Sequence, residues 1–137
     1  MDSKYNHKKY EDKIYEAWEK SGAFTPIINK KKKPFTIIMP PPNASDPLHI
    51  GHAREVSTQD ILIRFHRMTG DPTLWLPGAD HAGIETQFVY EKKLKLEGKS
   101  RLDFDQETLY KMIEGYVNEH RGGIESQLRK LGFSLDW

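Results

Sequence analysis

An α/β fold built on parallel strands is what this sequence predicts. Two short β-type runs, PFTIIMP at 34–40 and TLWLPG at 73–78, are each followed by a stretch of helical period. Helical crossovers join strands that run in the same direction. The size agrees: 137 residues, 36% hydrophobic and 30% charged, suit one domain or a piece of a larger one and leave no room for two independent cores.

The first expected element is a helix over residues 7–21. Tyr10, Ile14 and Trp18 recur every four residues among Lys and Glu, and Ser21-Gly22 ends the pattern. This stripe should pack on the rest of the domain. The run NKKKK before Pro34 reads as a solvated turn between elements, with a polyanion patch as the other reading. Thr36, Ile37, Ile38 and Met39 stand in a row, too short and too β-branched for a helix, and predict a strand buried on both faces. Pro40, Pro41 and Pro42 forbid its continuation, because each removes a ladder donor.

From His49 the period changes. Ala53, Val56, Ile61, Phe65 and Met68 fit a helix closed by Gly70, with Asp71-Pro72 beyond. TLWLPG predicts a second buried strand and opens into GADHAG; IETQFVYEKKLKLEG is helical again and stops at Gly98. A last helical stripe runs through Leu109, Met112, Ile113, Tyr116, Val117, Ile124, Leu128 and Leu131. Asp103 with Gln106 is its expected cap, Gly132 its stop, and Gly122-Gly123 an expected bend or break.

Charge excludes little: 21 basic against 20 acidic residues give no general attraction to nucleic acid or membrane, so any polyanion contact must be local. The absence of cysteine excludes disulfides and thiolate metal sites. The opening MDSKYNHKKYEDK is too polar for a signal peptide, and no apolar stretch approaches the ~20 residues that cross a bilayer. The expectation is a cytoplasmic protein with no membrane partner.

Chemistry concentrates where the first strand ends. Residues 40–48 form a strand-to-helix loop at the carboxyl end of the sheet, where α/β sheets bind ligands. A helix start offers unpaired N–H groups and a positive dipole end, which together suit phosphate. His49 and His52 share a helix face at i and i+3 and can each donate to phosphate oxygens, while Gly51 leaves room for a base or sugar. One ligand, a nucleotide, would use all three features. Other readings stay open: histidines that are merely surface or core residues, a zinc site if Asp80 and His81 converged on them, or prolines that form only a rigid spacer. Asp80 can also be read as a cap of the helix that starts near Ile84. Trp18 and Trp75 read as core, and Arg54, Arg64, Arg67 and Lys92 as solvated helix faces.

P-P-P-N followed by L-H-I-G-H resembles the "HIGH" signature region of class I aminoacyl-tRNA synthetases. H-x-G-H alone also occurs in nucleotidyltransferases of related fold. The proline triplet with Asn43, and WLPGADHAGIETQ at 75–87 with its G-x-D-H-A-G-I-x-T-Q loop, narrow the likeness to the valine-specific branch, and SQLRKLGFSLDW is similar to the segment that precedes that branch's editing insertion. The likeness covers nearly the whole chain, most specifically residues 34–91. One departure is Asp46, where the pattern carries glycine; an aspartate in the left-handed conformation of that glycine is the favoured reading, and a glycine that makes room for ATP, where the carboxylate would repel phosphate, is the other.

The resemblance implies a helix-rich, Rossmann-like parallel sheet that forms the first half of a class I catalytic domain, with residues 1–137 as its amino-terminal part. The editing domain, the second catalytic half with its K-M-S-K-S loop and the tRNA-reading domains would lie outside it. It implies formation of valyl-adenylate from ATP and valine, with Mg2+ accompanying ATP and no protein-bound metal, and with tRNA(Val) as partner of the full-length enzyme. His49 and His52 would stabilise charge on the phosphates. Pro42, Asn43 and Gly51 would complete the ATP site, and Pro41, Asn43 and Asp80 would hold the amino acid. The chain alone is expected to bind ATP weakly and to charge little or no tRNA, with self-association or pairing with the missing half. A stand-alone H-x-G-H nucleotidyltransferase and a non-catalytic nucleotide-binding or assembly module are the alternatives.

Overall fold

A computed structural model describes residues 4–137. In chain order the elements are α1 (His7–Lys20), β1 (Phe35–Ile38), α2 (Ile50–Met68), β2 (Thr73–Leu76), α3 (Gly83–Leu96), a 3-10 turn (Arg101–Asp103) and α4 (Gln106–Lys130). β1 and β2 pair in parallel, from Phe35 opposite Thr73 to Ile38 opposite Leu76, and α2 is the crossover between them. Pairing resumes beyond the prolines as an isolated parallel bridge between Asn43 and Asp80. There the Ala44 N–H donates to the Asp80 carbonyl at 2.8 Å and the Asp80 N–H to the Pro42 carbonyl at 2.9 Å.

The core joins Met39, Val56, Ile63 and Trp75 to Ile124 and Leu128 of α4 and to Phe133 and Leu135. Trp75 is fully buried, and its indole N–H donates to Gln59 Oε1 at 3.1 Å, so its burial leaves no donor unpaired. The closing segment lies beside β2, where the Asp136 N–H meets the Trp75 carbonyl. Asp60 reaches that segment from α2: its Oδ1 accepts from the Ser134 backbone and hydroxyl, and its Oδ2 from Arg64 Nε at 2.7 Å. Arg64 also donates to the Gly132 carbonyl.

Several expectations change. The strands are not buried on both faces: Phe35, Ile37, Thr73 and Trp75 point to the core, while Thr36, Ile38 and Leu76 are exposed, Ile38 at 70%. Side chains alternate along a strand, and only one face of this sheet is packed among the described residues. On α1 the predicted stripe of Tyr10, Ile14 and Trp18 is half-exposed. The helix docks one residue further round through Tyr15, whose hydroxyl finds a partner in the Phe133 carbonyl at 2.8 Å. On α2 the buried face is Val56, Asp60 and Ile63; Ile61, Phe65 and Met68 form a separate, exposed row.

α4 runs unbroken through Gly122 and Gly123. Each glycine costs about 1 kcal/mol against alanine in a helix. Val117 before them and Ile124 and Leu128 after them are all buried, and that packing offsets the cost. The α4 cap is Asp105, which accepts from the Thr108 N–H at 2.9 Å; Asp103 instead closes the 3-10 turn with Ser100. The lysine run is a turn, but Lys32 is not simply solvated: its ammonium bonds the Thr69 and Gly70 carbonyls at the end of α2, where a cation meets the negative dipole end. Nor do Arg64 and Arg67 line a solvated face. Arg67 is half-buried and donates to the Phe24 carbonyl, and loss of solvent lowers its pKa.

Candidate functional site

The proline loop is held from behind by α4. The Tyr116 hydroxyl donates to the Ser45 carbonyl at 2.8 Å, and the Leu48 N–H donates to Gln127 Oε1 at 2.9 Å. Ala44 and Ser45 of the loop are themselves buried. In the sequence Tyr116 belongs to the apolar stripe and Gln127 carries no signal, since nothing in a helical stripe announces a polar side chain that will serve a loop 79 residues away. Burial raises the Tyr116 pKa, and the Asp46 and Glu119 charges add to the effect. Asp46 itself is exposed and not left-handed: among the described residues, Ala82 is the sole non-glycine with positive φ. Its carboxylate therefore replaces glycine without strain.

His49 and His52 form a reciprocal cap at the head of α2. The Gly51 N–H donates to His49 Nδ1 at 3.1 Å and the His49 N–H to His52 Nδ1 at 3.2 Å, with the ring centroids 3.9 Å apart. N–H groups expected to be open at this helix start are thus taken by the two rings. Because each ring accepts at Nδ1, each carries its proton on Nε2 and presents that N–H as a donor. Gly51 is required by this arrangement: a Cβ there would lie 2.8 Å from His49 Cε1. The room at Gly51 first serves the His49 ring.

The second loop meets the first through the Asn43–Asp80 bridge. Asp80 Oδ1 accepts from the Ala82 N–H at 3.0 Å, a turn bond two residues on; the N-cap of α3 is Ala82, with no side-chain cap bond, so Asp80 does not cap that helix. Ala82 turns at φ +50° into α3, and buried Thr86 donates to the His81 carbonyl at 2.6 Å, which pins the turn. The Pro42 carbonyl is engaged in the bridge, which leaves the Pro41 carbonyl outside it. Asn43 Nδ2 donates to Glu85 Oε2 at 2.8 Å, a partner that sequence reading did not single out. A Cβ placed on Gly78 would lie 3.4 Å from Pro41 Cβ, so a side chain there would reach the first loop.

His49 and His52, Asn43, Pro41 and Asp80 therefore all stand at the carboxyl end of β1 and β2. The arrangement offers two outward N–H donors on the first crossover and a set of oxygen acceptors beside it, which suits an anion next to an ammonium. His81 is not among them: it lines a cavity of about 440 Å3 between α3 and α4, with Tyr110, Ile113 and Glu114. Among the described residues no group of three or more His, Asp or Glu side chains could hold a metal ion, so the zinc alternative has no ligand set.

The family model for tRNA synthetases class I (I, L, M and V) matches residues 13–137. The chain is 49% identical, over all of its length, to a valine–tRNA ligase of Treponema denticola. It is 46% identical over 97% of its length to one of Clostridium perfringens, and 47% identical over 93% to the chloroplastic/mitochondrial valine–tRNA ligase 2 of Arabidopsis thaliana. It spans 15%, 15% and 13% of those relatives, respectively. In fold it is similar to the LeuRS chain of a LeuRS–tRNA–LeuAMS ternary complex from Agrobacterium radiobacter K84. The TM-score is 0.78 with 22% identity, over 98% of this chain and 15% of that one.

Proposed function

This chain belongs to the tRNA synthetases of class I (I, L, M and V), and we propose that it supplies the ATP- and valine-facing part of a site that forms valyl-adenylate for charging tRNA(Val). The observation that carries this reading is the Asn43–Asp80 backbone bridge, which lays the second loop against the first at the sheet end where the two imidazoles stand.

In the proposed reaction an oxygen of the valine carboxylate attacks the α-phosphorus of ATP. A carbon-bound oxygen gains a bond to phosphorus, and pyrophosphate leaves with the electron pair of the broken P–O bond. No side chain need become covalently attached, so the protein acts by placement and by meeting charge. The Nε2–H groups of His49 and His52 would donate to phosphate oxygens, and the remaining N–H groups and dipole of α2 add to the same field. Asp80 Oδ2 would pair with the valine ammonium, with the Asn43 carboxamide and the Pro41 carbonyl as further acceptors. Pro42 and Gly51 would line the ATP side. Mg2+ would arrive with ATP as part of the substrate. By this reading the whole enzyme works in translation, in the cytoplasm; no helix among the described residues is long and apolar enough to cross a membrane.

Every side chain named here except partly covered His52 and Pro42 is exposed, so the pocket has a floor and few walls. Weak ATP binding by the chain itself is the expected result. Titration calorimetry of the 137-residue chain with ATP tests the proposal: binding should weaken at least about tenfold in His52→Ala, and valine should tighten it, as expected for two ligands that share one crevice. Nucleotide binding indifferent to both would point to a module without adenylation chemistry. No nucleotide binding at all would remove the proposal for this chain.

A further inference from the structure

We propose that Glu85 is a positioning residue for the amino group of the amino-acid substrate, acting through Asn43. This rests on the preceding reading, in which Asn43 meets that group. Asn43 Nδ2 donates to Glu85 Oε2 at 2.8 Å, a contact between residues 42 apart that crosses from the proline loop to the first turn of α3. A carboxylate only accepts hydrogen bonds, so the edge of the Asn43 amide that faces Glu85 must be its NH2 edge. The amide is planar, and its Oδ1 is therefore turned to the opposite side as an acceptor. An ammonium only donates. The orientation that Glu85 selects is thus the one an ammonium can use; the flipped amide would set N–H against N–H.

Both ends of the contact are anchored. Asn43 is tied to Asp80 through the backbone bridge, and the Glu85 N–H donates to the Ala82 carbonyl at 2.8 Å, directly after the left-handed turn that buried Thr86 holds. The consequence is chemical selectivity. Valine brings three N–H donors to this point, whereas its hydroxy analogue, 2-hydroxy-3-methylbutanoate, brings a hydroxyl that donates once and also accepts. An amide fixed as an acceptor favours the amine, and an amide free to flip serves the hydroxyl equally well.

The test is the affinity of the full chain, with ATP present, for valine and for 2-hydroxy-3-methylbutanoate, compared among wild type, Glu85→Ala and Glu85→Gln. Glutamine can bond either edge of Asn43, so it keeps a contact and loses the selection. In both variants valine should weaken about fivefold, the size of one hydrogen bond, while the hydroxy acid and ATP alone change by less than about twofold. The preference for the amine should fall accordingly. Loss of all three ligands together would mean that Glu85 merely supports the loop, and would overturn the proposal, as would an unchanged preference. If wild type fails to bind valine, the underlying reading falls and takes this one with it. If wild type binds valine and the preference is indifferent to residue 85, only the role of Glu85 falls.

Discussion

The two ends of α2 carry the same kinds of side chain and use them differently. At its head, His49 and His52 turn their Nδ1 atoms inward to cap the helix and keep Nε2–H outward. Further along, Asp60, Arg64 and His66 spend their polar atoms on the protein itself. Asp60 binds Ser134 and Arg64, and His66 stacks on Phe35 at 3.7 Å between ring centroids while its Nδ1 pairs with Asp71 at 2.8 Å. Three histidines on one helix thus do not make three ligand groups. What separates them is whether the outward nitrogen faces a loop crevice or a neighbouring element.

The largest expected effect lies in the body of the helix. Asp60→Ala should cost about 3 kcal/mol, because it strands the Ser134 donors and the part-covered Arg64 charge; urea unfolding measures it, and ATP affinity of the folded variant should stay within about twofold. At the head the pattern inverts. His52→Ala should cost only about 1 kcal/mol of stability, the value of a cap, yet weaken ATP at least about tenfold, equivalent to 1.4 kcal/mol. Equal stability losses at the two positions would erase the distinction.

Gly51→Ala sharpens it further. Alanine gains about 1 kcal/mol of helix preference and loses a similar amount by pushing the His49 ring off its cap, so unfolding should shift by less than about 0.5 kcal/mol while ATP binding falls severalfold. The smallest effect concerns acid. The hydrogen bonds from His66, first, and Thr69 hold the Asp71 carboxyl below its ordinary pKa. Its contribution is therefore complete above the unfolded value near 4 and is lost as pH falls through the lower folded value. Asp71→Asn should be less stable than wild type at neutral pH and approach it in acid, as urea midpoints measured from pH 6 to pH 2 would show.

Much of this was legible in the residues. Strand, proline stop and H-x-G-H gave the loop and the helix start, and both strands were found in their right places and direction. What could not be read was which face of each element is covered. Ile61, Phe65 and Met68 have a helical spacing as good as that of Val56 and Ile63, and only the docking of α2 on the sheet and its core decides between the rows. The unbroken α4 has the same cause: local glycine preference lost to long-range packing of Ile124 and Leu128. At the site, motif residues were visible because their chemistry is local. Tyr116, Gln127 and Glu85 were not, because each acts on a residue more than 40 positions away.

On this reading imidazoles from the first crossover and acceptors from the second loop serve one crevice. Nuclear magnetic resonance titration of the full chain, first with ATP and then with valine, tests it most directly. ATP should shift the imidazole signals of His49 and His52, valine should shift the side-chain amide of Asn43, and each ligand should tighten the other. Valine that instead perturbs the His81–Tyr110 cavity between α3 and α4, or that leaves ATP affinity untouched, would contradict it.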